Sequence, residues 1–278
     1  MKTTPLIRNS NSPIGMFDSG VGGLTLLKSI KRILPNEQLI YFGDTARLPY
    51  GTKSPKVVQN FSLQIAKFLV GFKIKSLVIA CHTASSAALS NLKIKLDIPV
   101  IGVIEPSAQK AVTTTKNQKI GVIGTKTTIE SGSYQSFIQK INPKISITTV
   151  AAPLLVPLVE EGWVNKGATR IILKEYVAPF KKAQIDTLIL GCTHYPLIKQ
   201  LFRRELGPKV FLIDASIETA LYLKKLLNKK SLINNGISTP DYRFYVSDDP
   251  DKFSRLAQIF LGEKIEAVKP VDLENWGY

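Results

Sequence analysis

A chain of 278 residues, 44% hydrophobic and 21% charged, has room for two compact domains with a sizeable core and lies far from disorder-prone composition. No run approaches the roughly 20 apolar residues of a membrane span, and the polar start Met1-Lys2-Thr3-Thr4-Pro5 lacks a secretory core, so a cytoplasmic protein is expected. The net charge of +16 permits contact with anions or nucleic acid, yet lysines such as Lys93, Lys95, Lys181, Lys182, Lys224 and Lys225 are scattered over helix-like stretches; a solvated basic surface is expected, with no specific nucleic-acid partner.

In chain order, Ile14-Gly15-Met16-Phe17 reads as a buried strand that ends at Asp18-Ser19-Gly20-Val21-Gly22-Gly23. Leu24, Leu27, Ile30, Ile33 and Leu34 then recur at helical spacing until Pro35 stops them. A glycine turn between strand and helix presents bare N–H groups that suit a carboxylate or phosphate, although it is neither GxGxxG nor a P-loop. Leu39-Ile40-Tyr41-Phe42 is the next strand, followed by a long polar loop from Gly43 to Gly51. A helix over Val57 to Phe72 leads to the strand Leu77-Val78-Ile79-Ala80, which delivers Cys81 to the start of another helix. Pro99 to Ile104 reads as a fourth strand.

The pattern restarts at Ile120-Gly121-Val122-Ile123-Gly124-Thr125, an offset of 120 − 14 = 106. The only two cysteines are 192 − 81 = 111 apart, each after an apolar run and each close to one of the only two histidines, His82 and His194. An internal duplication of about one hundred residues follows from these landmarks. Strands are expected at Ile145–Val150, Thr187–Leu190 and Tyr242–Val246, with a helix from Pro250 to Leu261. The expected fold is α/β, with two similar domains, each a mostly parallel sheet flanked by helices, related by a pseudo-twofold duplication with the site in the cleft between them. Their boundaries fall at 1–103 plus 215–278, and at 104–214.

Two isolated cysteines do not make a disulfide framework. A thiol ahead of a helix N-terminus is expected to have a lowered pKa, and a thiolate and a thiol on opposite sides of a carbon can take a proton from one face and return one to the other. That is the chemistry of a cofactor-independent racemase. Either cysteine alone reads as a small buried filler, and the matched pair is what argues otherwise. A two-Cys, two-His zinc site is the metal alternative; adjacent Cys81-His82 chelates one ion poorly and no CxxC or HxxxH spacing supports it, so no metal is expected.

The strings Phe17-Asp18-Ser19-Gly20-Val21-Gly22-Gly23, Gly43-Asp44-Thr45-Ala46-Arg47-Leu48-Pro49-Tyr50-Gly51, Ala80-Cys81-His82-Thr83-Ala84-Ser85, Val156-Pro157-Leu158-Val159-Glu160-Glu161-Gly162 and Gly191-Cys192-Thr193-His194-Tyr195-Pro196-Leu197 together resemble those of glutamate racemases, in the family's order and over nearly the whole chain. The resemblance implies pyridoxal-independent interconversion of L- and D-glutamate for peptidoglycan synthesis, with no cofactor. It implies Cys81 and Cys192 as the two bases, Asp18 assisting Cys81, and Glu160 with His194 assisting Cys192. It places Ser19, Pro49, Tyr50, Gly51, Thr83, Thr125, Thr128 and Thr193 on the substrate, and a homodimer is implied by the resemblance alone. Read locally, Glu160 is also a surface helix acid, and Thr125 and Thr128 are N-cap residues.

One position departs from the family pattern. His82 stands where Asn is expected, adding bulk and a group that titrates near neutrality. It leaves three readings open: an equivalent contact to the substrate, an altered pKa for Cys81, or a pocket shaped for aspartate or diaminopimelate. A non-catalytic anion or nucleic-acid binder is the reading from another class, motivated by the charge.

Overall fold

The computed structural model describes residues 8–236, 239–265 and 267–273. The first seven residues of the polar N-terminal tail lie outside the described residues. Strands and helices alternate: β1 (Ile14–Asp18), α1 (Leu24–Ile33), β2 (Leu39–Gly43), α2 (Pro55–Val70), β3 (Ser76–Ile79), α3 (His82–Lys95), β4 (Val100–Gly102), α4 (Ile104–Thr114) and β5 (Lys119–Gly124). The chain continues through α5 (Lys126–Glu130), α6 (Ser133–Ile141), β6 (Ser146–Ala151), α7 (Leu155–Glu160), α8 (Gly167–Ala183), β7 (Thr187–Gly191) and α9 (Lys199–Leu206). It closes with β8 (Phe211–Asp214), α10 (Ala215–Lys229), β9 (Tyr242–Val246), α11 (Pro250–Leu261) and β10 (Val268–Pro270).

Two parallel sheets result, ordered β10-β9-β2-β1-β3-β4 and β6-β5-β7-β8. Residues alternate between two buried faces of the larger sheet. Met16, Tyr41 and Val78 join a core that runs on into the smaller sheet, while Phe17, Phe42 and Ile79 pack with Val58, Ile65 and Leu89 from α2 and α3. A sheet covered on both sides needs such continuous apolar strands. Local signals set the helix bounds: Ser54 accepts from Val57 N–H ahead of Pro55 at the start of α2, and α1 ends where Pro35 follows.

The repeat seen in the sequence has a structural counterpart. The order β2-β1-β3-β4 recurs as β6-β5-β7-β8, so β3 and β7, which deliver the two cysteines, hold equivalent places. Gly15 in β1 and Gly121 in β5 repeat a packing detail as well. A Cβ on Gly15 would sit 2.6 Å from Ile74, and one on Gly121 would sit 2.6 Å from Ile185, isoleucines that lie seven residues before Cys81 and Cys192 (81 − 74 = 192 − 185 = 7). In such sheets the polar crevice forms where the strand order reverses, at the C-terminal ends of β1/β3 and of β5/β7.

Three local expectations change. The strand expected through Ile104 stops at Gly102 and α4 begins at Ile104, because Pro106 suits the first turn of a helix, where its missing N–H costs nothing. Cys192, like Cys81, reads as standing directly before a helix, but the chain first makes a 3₁₀ turn over Tyr195–Ile198 before α9. The edge strands β8 and β10 were not expected: they are short, at four and three residues, and the second ends on Pro270, which sheets confine to edges and strand ends.

Candidate active site

Between the two sheets lies a cavity of about 330 Å³, within the roughly 300–1,000 Å³ usual for small-ligand sites. Twelve of the fourteen expected site residues line it: Cys81, Cys192, Glu160, His194, Ser19, Pro49, Tyr50, Gly51, His82, Thr83, Thr125 and Thr193. Asp18 and Thr128 do not reach its wall; both are fully buried one layer behind.

Cys81 caps α3, with its Sγ 3.4 Å from the Ala84 N–H and 3.7 Å from Ser19 Oγ. The expected lowering of this thiol's pKa does not occur. Burial and the Asp18 charge outweigh the Ala84 and Ser19 contacts and push it up to about 12, so Cys81 rests as a thiol. Asp18 accepts from the Gly20 N–H at 3.1 Å through Oδ2, while Oδ1 is buried without a hydrogen-bond partner. Burial raises the Asp18 pKa, against the His194 charge and the N–H groups of Gly23, Gly20 and Ser19.

The Cys192 side is built differently. Its Sγ lies 3.8 Å from His194 Nδ1, and the far ring nitrogen, Nε2, lies 2.8 Å from Glu160 Oε1. Burial works against a charge on His194, but hydrogen bonds to Cys192 and Glu160 and their negative charges prevail and raise its pKa to about 10. The pairing with Glu160 thus favours a protonated ring beside the sulfur. The reading of Glu160 as a surface acid gives way, since its side chain is only 24% exposed at the end of α7 and holds His194 in place.

The threonines form a bridge. Thr83 Oγ1 lies 2.9 Å from Thr125 Oγ1, which lies 2.9 Å from Thr128 Oγ1 and accepts the Thr128 N–H as the N-cap of α5. Capping and a place on the cavity wall coexist at Thr125. Tyr50 contributes its ring, since its hydroxyl donates to buried Asp44, which also accepts from Arg47 Nε at 2.9 Å and Ser247 Oγ at 2.8 Å. This anchor was missed in the sequence, although Asp44, Arg47 and Tyr50 recur every three residues in the loop. Leu48, Thr52, Lys126, Pro153, Val156, Pro157 and Glu161 complete the lining and were not expected.

The glycine turn after β1 corrects another expectation. Gly20, Gly22 and Gly23 do not line the cavity. A Cβ on Gly22 would come within 2.3 Å of Thr193 Oγ1 and 2.6 Å of the His194 ring, so the turn is bare in order to pack against the loop that carries the second cysteine. Thr25 Oγ1 ties the same seam by donating to the Thr193 carbonyl at 3.2 Å. Gly22→Ala is expected to lower stability by about 1–3 kcal/mol through overpacking and to displace His194. Urea denaturation and turnover check this; parental values in both would refute it.

His82 is 3% exposed, with neither ring nitrogen hydrogen-bonded, and its ring stacks near Tyr134 at 6.3 Å and 29°. Burial lowers its pKa to about 3, so at neutral pH it is an uncharged group with one donor and one acceptor, as an Asn amide would be. Among the described residues no three His, Cys, Asp or Glu side chains converge as a metal site would require.

Residues 14–220 match the family model described as Asp/Glu/Hydantoin racemase. The chain belongs to this racemase family. It is 48% identical to a glutamate racemase of Geobacter metallireducens over 94% of this chain and 97% of that one. Among solved structures, a glutamate racemase of Bacillus anthracis superposes with a TM-score of 0.93 at 41% identity, over 95% of this chain and 99% of that one. The glutamate racemase of Francisella tularensis, solved in complex with D-glutamate, gives 0.90 at 42% identity, over 96% and 100%. The protein is an amino-acid racemase, an isomerase, and among its described residues no helix is long and apolar enough to cross a membrane.

Proposed function

We propose that this racemase interconverts L- and D-glutamate without pyridoxal, by proton transfer between Cys81 and Cys192, and supplies D-glutamate for peptidoglycan synthesis in the cytoplasm. The observation that carries the reading is that both thiols line one cavity from equivalent strand ends, with opposite surroundings. The two lobes, 1–103 with 215–278 and 104–214, then contribute one cysteine each. The likeness to racemases named for glutamate, one of them holding D-glutamate, supports the substrate.

In one direction Cys192 Sγ, faced by the His194 cation, takes the α-proton, and the Cys81 thiol gives its proton to the opposite face of the same carbon. The Cα–H bond breaks on one side as a new one forms on the other, so the carbon inverts and no other atom is exchanged. The product leaves Cys81 as the thiolate and Cys192 as the thiol, the state from which the reverse reaction starts. Asp18 acts through Cys81: its charge already bears on that sulfur, and a carboxylate with a raised pKa is suited to hold the thiol proton when Cys81 serves as base. Glu160 positions the His194 ring. Ser19, Tyr50, Gly51, Pro49, His82, Thr83, Thr125 and Thr193 form the walls that orient the amino acid, with uncharged His82 replacing an Asn amide and Thr128 bracing Thr125 from behind.

The test follows solvent deuterium into the α-carbon of glutamate, aspartate and diaminopimelate in separate incubations. Exchange into both enantiomers of glutamate is the expected result. Exchange only into aspartate or diaminopimelate would move the substrate to the second reading, which His82 motivates. No exchange with any of them would sink the racemisation mechanism.

A further inference from the structure

The Glu160–His194 pair is backed by a helix that lines no part of the catalytic cavity. α11 follows β9 of the larger sheet and lays one stripe along the pair: Phe253 and Leu256 share a small cavity with Glu160, and Phe260, about one turn further on, meets the His194 ring. Positions 253, 256 and 260 fall on a single helix face. Phe260 is 2% exposed, and the two ring planes stand at 84° with centroids 5.3 Å apart, the edge-to-face arrangement that aromatic rings favour.

The polar contacts of His194 all fall at its two nitrogens. Nδ1 lies 3.8 Å from Cys192 Sγ and 3.4 Å from Thr193 Oγ1, and Nε2 lies 2.8 Å from Glu160 Oε1. Such contacts leave the tilt of the ring about the line joining the nitrogens to packing, because hydrogen bonds accept a broad spread of angles before they weaken. Gly22 packs against the Nδ1–Cε1 edge, and Phe260 stands perpendicular to the ring. Phe260 also lines a second cavity, of about 520 Å³ between α1 and α10, which His194 does not reach; it is part of the wall that keeps solvent off the imidazole.

We infer that Phe260 is a positioning residue of this racemase, holding the His194 ring at the tilt that keeps Nδ1 beside the Cys192 sulfur. The inference rests on the reading above in which Cys192 is the base for one face of the substrate. Phe260 acts through His194, so proton transfer at Cys192 depends on it and proton transfer at Cys81 does not.

The experiment places Phe260→Leu, which stays apolar but loses the ring, in the parent, Cys81→Ser and Cys192→Ser chains and follows α-proton exchange of L- and D-glutamate in deuterium oxide. In Cys81→Ser, where exchange runs through Cys192, Phe260→Leu is expected to slow it about fivefold, the scale of one lost edge-to-face contact. In Cys192→Ser, where exchange runs through Cys81, the rate stays within about twofold, as for independent sites. In the parent background the loss falls on kcat, with KM little changed. Phe260→Tyr keeps the ring and restores exchange to within about twofold of its background, and Phe260→Met fills more of the volume and carries the comparison should Phe260→Leu fail to fold. Equal slowing in both single-cysteine chains would mark α11 as merely structural and overturn the inference, as would no slowing in either, or a Phe260→Tyr as slow as Phe260→Leu. Single-cysteine chains that exchange no proton at all would instead overturn the proton-transfer mechanism. The inference then remains readable by proton NMR, because the chain has only two histidines and His82→Asn assigns the ring signals. The His194 Cε1–H resonance is expected to shift in Phe260→Leu, and an unshifted signal would overturn the inference.

Discussion

Cys81→Ser and Cys192→Ser are each expected to lower racemisation by about a thousandfold or more, since a positioned acid or base contributes roughly 10²- to 10⁴-fold and a serine hydroxyl is a far poorer acid than a thiol. The more telling result is what each variant keeps. With Cys192 intact, Cys81→Ser still has a base on one side of the carbon and exchanges the α-proton of one enantiomer with solvent without inverting it. Cys192→Ser does the same for the other enantiomer. Proton NMR in deuterium oxide, started separately from L- and D-glutamate, reads both effects. Full activity in either variant, or washout of the same enantiomer in both, would refute the two-sided assignment. Both cysteines are only 6% exposed, and the change removes little volume, so unfolding midpoints close to the parent's accompany the loss of activity.

The two halves of the site were unequally legible in the sequence. Scarcity exposed Cys81 and Cys192, continuous apolar runs placed both at strand ends, and the likeness of Ile14-Gly15 to Ile120-Gly121 announced the repeat that the strand order shows. Electrostatics was not legible. A cysteine before a helix suggests a depressed pKa, but the sign at Cys81 depends on burial and on the Asp18 charge, both set by chain folded far from residue 81 in sequence. The glycine turn shows the same limit: Gly22 looks like an anion cradle until Thr193 and His194, about 170 residues away, occupy the space beside it. Asp44 went unnoticed because its partners Arg47, Tyr50 and Ser247 converge only when β9 docks on β2. Lys126 is one lysine among many until α5 brings it to the cavity wall.

His82 makes this chain acid-labile in a way that Asn at the same position would not. Its folded pKa of about 3 lies below the ordinary histidine value of 6.5, so below pH 6.5 the unfolded chain binds a proton that the native chain refuses. The stability contributed by the neutral ring is thus fully present above pH 6.5 and is lost as the pH falls toward 3. At 1.36 kcal/mol per unit the whole shift sets an upper bound of about 5 kcal/mol, of which about 2 kcal/mol is lost between pH 7 and pH 5. His82→Asn removes the titrating group while keeping an uncharged donor and acceptor on the cavity wall. Urea denaturation of both proteins from pH 7 to pH 4 is expected to show the parent's free energy falling more steeply, by up to about 1.4 kcal/mol per pH unit, whatever offset the smaller side chain adds at pH 7. Because the ring is already neutral when the enzyme works, the variant's turnover near pH 8 is expected to stay within about tenfold of the parent's, the cost of one altered neutral hydrogen bond. Parallel stability profiles would show that His82 is protonated or solvated in the native chain, and would reopen the reading in which its charge tunes Cys81.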